Sequence, residues 1–126
     1  MAIATYLGHA DEQVITNGAS AVACGAVVKV DAAGSKAGIV SSLQGIAANA
    51  VGGVKIRGRF TVPAKTTAVI AAGDQLIFSV SNDYASNKTA DAGASSFSLG
   101  RAITAKANGG TTVEVDLNET GVNNLA

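Results

Sequence analysis

The chain has 126 residues, equal numbers of acidic and basic side chains and a single cysteine. That length makes one domain, able to bury roughly two-thirds of its unfolded surface. One cysteine excludes an internal disulfide, and no apolar run approaches the ~18 residues of a membrane helix. Charged residues are 14% of the chain against the ~25% usual for soluble domains, so bulk charge gives nucleic-acid binding no support.

Alanine supplies much of the apolar material. Val, Ile, Leu and Phe make up about a quarter of the residues and Trp is absent. A thin core and a weakly charged surface imply that partner subunits cover part of the molecule.

The start, MAIATYLGHADE, has neither a basic region nor a long apolar stretch. It does not read as a secretion signal, and synthesis and assembly in the cytoplasm are expected. Residues 1–11 read as an N-terminal arm, 12–118 as a β domain and 119–126 as a tail. Short β-branched runs between Gly, Asn, Asp and Ser clusters give the all-β pattern. The predicted strands begin with Glu12 to Thr16, closed by an Asn17-Gly18 turn. Ala26 to Val30, Ile39 to Ser42 and Gly45 to Ala48 follow.

The clearest strand is Val54 to Val62. Val54, Ile56, Gly58, Phe60 and Val62 alternate with Lys55, Arg57, Arg59 and Thr61, placing three cations in a row on one face. Pro63 sits at the strand exit, where its missing N–H is harmless. Residues 64–72 suit a short helix, and 81–96 a polar loop. Between these lies a strand from Gln75 to Val80. Strands from Phe97 to Ala105 and Thr111 to Leu117, joined by Asn108-Gly109-Gly110, close the domain.

A faint repeat runs through this order. Ala23-Cys24-Gly25 echoes Ala71-Ala72-Gly73, each before an apolar strand. Gly45-Ile46-Ala47 echoes Gly100-Arg101-Ala102. Either the domain is duplicated, which suits a barrel or a two-sheet sandwich, or glycine turns in any β protein look alike.

Chemistry-bearing residues are sparse. His9 is the only histidine, and with one cysteine and no clustered acids it cannot complete a metal cage. Cys24 reads as a small buried hydrophobe. The aspartates sit beside turns, where their side chains bond nearby N–H groups. No Gly-rich phosphate loop is present. Neither an enzyme nor a cofactor is expected. The cations Lys55, Arg57 and Arg59 have two readings. They dock to an acidic partner surface, or they pair across strands with Glu114 and Asp116 of the last strand. Stacking aromatics are missing, so a nucleic-acid stripe is not one of the readings.

The succession Gly25-Ala-Val-Val-Lys-Val, Gly38-Ile-Val with Gly45-Ile-Ala-Ala, Gly58-Arg-Phe-Thr-Val-Pro-Ala-Lys65, Ala72-Gly-Asp-Gln-Leu-Ile-Phe78, Leu99-Gly-Arg-Ala-Ile103 and Val113-Glu-Val-Asp-Leu117 resembles the small capsid cement, or decoration, proteins of tailed bacteriophages. The resemblance covers roughly residues 12 to 118. It implies a small β-barrel or β-sandwich without enzymatic activity, carried on the outer capsid surface of the virion. It also implies binding to the major capsid protein of the expanded shell and, often, a homotrimer bridging neighbouring capsomers, with no nucleic acid or membrane as partner. The arm, with Ile3, Tyr6 and Leu7, has two readings: it reaches a neighbouring subunit, or it is a frayed terminus. Another virion part, such as a tail or head-completion protein, would share the low charge and β pattern. A small-ligand module would need a concave aromatic-lined site, for which few aromatics are present.

Overall fold

The computed structural model describes residues 2–4, 11–31, 36–93 and 95–126. Nine strands follow one another: β1 (Glu12–Thr16), β2 (Val27–Lys29), β3 (Ala37–Val40), β4 (Val51–Lys55), β5 (Arg59–Pro63), β6 (Gln75–Ser79), β7 (Tyr84–Ser86), β8 (Ser96–Ala102) and β9 (Thr112–Leu117). They form two antiparallel sheets, ordered β1-β4-β3-β2 and β5-β9-β8-β6-β7. A single parallel bridge between Ala64 and Ala85 brings β5 towards β7 without closing a barrel. The fold is all-β and sandwich-like.

The expected strand Val54 to Val62 is two strands in different sheets. Ile56 to Gly58 carry the chain across. Gly58 has φ +122°, a conformation that side chains other than glycine's rarely adopt. The Asn118 amide bonds the Ile56 carbonyl at 2.7 Å and both backbone groups of Ala37 at 2.8 and 2.9 Å, pinning the crossover to the start of β3.

Two cores result. The larger gathers Val62, Ile70, Leu76, Leu99, Val115 and Leu117 with Phe78 and Phe97. The rings of the two phenylalanines lie 5.6 Å apart and tilted. The smaller holds Val40, Ile46, Val54 and Ile56. Alternation survives the crossover because each side buries the same phase, Val54 and Ile56 before it and Val62 after it.

Other expectations need correction. Asn17-Gly18 forms no turn, and β1 pairs with β4 rather than β2. Gly45 to Ala48 contributes only the bridge of Ile46 to Val22. Residues 64–72 form a turn between two isolated bridges, at Ala64 and Ile70, instead of a helix. Residues 81–96 hold β7 and a 3-10 turn, Thr89–Asp91. Ala85, Ser86 and Asn87 there are buried, tied in by Ser86 Oγ donating to Asp91 at 2.5 Å and Asn87 to Asp74 at 2.9 Å.

The repeat is real at the level of topology. The order β1-β4-β3-β2 recurs as β5-β9-β8-β6. Val22 and Ile46 exchange two backbone bonds of 2.9 and 2.8 Å, and Ile70 and Lys106 do the same at 3.0 and 2.8 Å. Gly25 N–H donates to Val40 at 2.9 Å, Gly73 N–H to Ala102 at 2.8 Å. Both glycines have positive φ, +86° and +92°. The partner of Gly45-Ile46 is therefore Ala105-Lys106, and Gly100-Arg101 plays another part.

Candidate interaction surfaces

Each residue expected to bind a partner has a distinct setting. Ile3 is 83% exposed, and Tyr6, Leu7 and His9 lie outside the described residues. Lys55 ends β4 and pairs with Glu12 of β1 at 2.8 Å. That hydrogen bond and charge hold the Glu12 carboxyl below the ordinary glutamate range. Arg57 lies in the crossover and Arg59 opens β5. The three cations thus belong to two sheets and a connector and form no single row.

Arg59 stands opposite Asp116 in register, yet the Asp116 carboxylate accepts from Arg101 of β8 at 3.0 Å. Cross-strand pairing occurs, but it uses a different arginine. Arg57 and Arg59 are exposed and have no ion pair among the described residues. Beside them Lys36, Arg57, Asn118 and Glu119 line a small cleft of about 120 Å³. This corner presents free cations on a rigid crossover.

Cys24 is exposed, not buried as expected, because it sits in the turn before β2. That turn lies between two openings at the junction of the sheets. One, of about 370 Å³, is lined by Ile15, Val22, Val27, Val28, Val80 and Phe97, with Lys29 among its polar residues. The other, of about 350 Å³, takes in Gly25, Ala26, Pro63 and Phe78. The first is mostly apolar, which suits a side chain or segment more than a polar ligand.

The opposite region is polar and fully engaged. The tail after β9 lies along the start of β6: Val122 accepts from Gln75 N–H at 2.9 Å and donates to Gly73 at 2.8 Å. Asp74 accepts from Asn124, Asn87 and Ala71 N–H. Burial pushes its carboxyl up, but those hydrogen bonds and the Lys88 charge outweigh it and hold it below the ordinary aspartate range. Asp91 follows the same balance, with Lys65 and Ser86 as donors. Lys106 is buried, and burial keeps its ammonium below the ordinary lysine range. It donates to the carbonyls of Thr66, Ala68 and Ala107 at 3.2, 2.7 and 3.2 Å. Nothing in the sequence around it signals that role. These groups are mutually satisfied and hold the fold together.

A family model described as phage cement protein matches residues 8–117. The chain belongs to that family. No curated protein matches it. Membership makes this a structural component associated with the phage capsid and points away from catalysis. For a cement protein the free cations and the exposed Ile3 gain significance, because the family associates with capsid proteins.

Proposed function

We propose that this protein binds the outside of the expanded capsid and bridges neighbouring major capsid protein subunits, acting as a homotrimer. The family match over residues 8–117 carries the reading. Several weak contacts made at once add through multivalency. A ligand whose site spans subunits that move on expansion favours one state of the shell over the other. The partner-binding residues are Ile3, Tyr6 and Leu7 on the arm, which reaches a neighbouring subunit, and Arg57 and Arg59, which face acidic groups of the shell. Lys55 lies at the margin of that patch, held by Glu12. No nucleic acid or membrane takes part.

The test is co-sedimentation with expanded, undecorated shells, with unexpanded precursors as control. Binding to expanded shells only, saturating at a fixed copy number, is expected. Arg57→Glu should weaken that binding and flatten its salt dependence. Binding to neither shell, or self-assembly into tubes, would overturn the reading.

A further inference from the structure

We infer that the N-terminal arm of one copy adds as a strand to the free edge of β2 in a second copy, filling the apolar groove between its two sheets. This rests on the reading above, in which the arm reaches a neighbour, and names that neighbour as another copy of this chain.

The groove is built for an extended segment. Val27, Val28 and Lys29 are consecutive, so their side chains alternate in direction, yet all three line it. A groove touching both faces of a strand runs along its edge. Among the described residues β2 ends its sheet and pairs only with β3. Val30 N–H donates to Lys36 at 3.1 Å, so pairing with β3 falls on positions 28 and 30. Alternation then turns the backbone groups of Val27 and Lys29 outward. An open edge flanked by Val22, Val80 and Phe97 offers main-chain bonds and apolar walls together, the requirements of strand addition. Val80 remains 51% exposed there.

The occupant follows from the chain itself. Residues 2–10 carry Ile3, Tyr6 and Leu7 and no Asp, Glu, Lys or Arg. Extended, nine residues reach about 30 Å. The arm joins β1, and Glu12 stands in line with Lys55, Ile39 and Val27 across the sheet. Its root stands at the opposite edge in the sheet order, while the other end of β1, Ile15 and Thr16, lines the same groove. Ile3 is exposed rather than seated in the groove of its own copy. Charge agrees as well. Asp11 at the arm's root and Lys29 at the groove are both exposed and without an ion pair among the described residues. An arm parallel to β2 with Asp11 two residues past Lys29 sets Leu7 beside Val27 and Ile3 beside Ala23, next to Cys24. Such head-to-tail exchange closes into a ring where the rotation between copies allows it and otherwise gives a filament; three copies would complete a ring.

The full-length protein carrying Ile3→Cys tests this directly, since Cys24 is the only native thiol. Mild oxidation should give a disulfide-linked ladder ending at three chains, absent when Cys24→Ser is added. Deleting residues 2–10, or placing Val80→Arg in the groove, should lower the sedimented mass about threefold with an unchanged circular dichroism spectrum. Asp11→Lys should weaken assembly, and Lys29→Asp in the same chain should restore it. A cross-link confined to single chains, or an unchanged mass after deletion of the arm, would overturn the inference. Shell binding is scored separately. Loss of assembly with residual binding to expanded shells leaves the cement reading standing. Intact assembly with no shell binding removes the cement reading alone.

Discussion

Ile46 and Lys106 occupy matching places in the two halves of the molecule, each bridged to a partner strand by the same pair of backbone bonds. The carbonyls around them also match. In the second half, Ala68 and Ala107 accept from the Lys106 ammonium, which arrives from the opposite strand. In the first half their counterparts, Ser20 and Ala47, accept from the Asn17 amide at 2.9 and 3.1 Å. Position 17 corresponds to Lys65, which instead pairs with Asp91 of the excursion found only in the second half. One backbone frame thus has its carbonyls satisfied in two ways, part-buried around Lys106 and largely exposed around Asn17, and each way leaves the other position free for a different residue. In the first half that residue is Ile46, which packs in the smaller core.

The largest break in this comparison should come from Ile46→Lys. The site is buried and Asn17 already occupies its carbonyls, so an ammonium there lacks partners and costs about 4 kcal/mol or more. Urea unfolding should show the midpoint falling steeply. Adding Asn17→Ala should recover part of the loss by releasing two carbonyls to the new lysine, a coupling that a double-mutant cycle measures.

Milder are Lys106→Ile and Asn17→Ala taken singly. Lys106→Ile leaves part-buried carbonyls without a donor, for about 1–3 kcal/mol, whereas the carbonyls freed by Asn17→Ala are largely exposed to water and cost less. A measurable loss in both halves would support equivalent roles. A neutral Lys106→Ile would mean that apolar packing alone can fill the second site, as it does the first.

Much of this architecture was written plainly in the sequence. β1, β2, β6, β8 and β9 follow from alternation and glycine turns, which act locally. The break between β4 and β5 was hidden because Val54, Ile56, Phe60 and Val62 keep one phase on both sides of it. Gly58 fitted that phase while in fact supplying the bend. The segment from Tyr84 to Asp91 was hidden for another reason. Its buried positions are Ala85, Ser86 and Asn87, and small or polar residues signal burial only once their partners Asp74 and Asp91 are known. The exposure of Arg57 and Arg59 was legible from alternation. Their separation from Lys55 was not, because it depends on the change of sheet.

Acidification should act on one half more than the other. Asp74 and Asp91 both titrate below the ordinary aspartate value of 3.8 in the fold. Each therefore contributes stability that is present above that value and lost as pH falls through the lower folded value. Both hold the second half, where Asp74 binds Asn124 of the tail. Between neutral pH and about pH 3, hydrogen-exchange protection at Gln75, Thr89 and Val122 should fall before that of Val22 and Ile46. Simultaneous loss at all five would mean that the tail and the excursion do not open on their own.

The smallest stability effect expected is that of Arg101→Ala. Its pair with Asp116 is partly exposed at both ends, and such pairs contribute about 0.2–1 kcal/mol. Here even that should be partly offset, because Asp116 then has a second cation, Arg59, directly opposite on β5. The offset has a consequence of its own. Arg59 is free for the shell only while Arg101 occupies Asp116. Arg101→Ala should therefore lower affinity for expanded shells although Arg101 itself makes no assigned contact with them. Adding Asp116→Asn should restore binding by releasing Arg59. If Arg101→Ala leaves shell affinity unchanged, Arg59 is not part of the docking patch, and Arg57 is left to carry it.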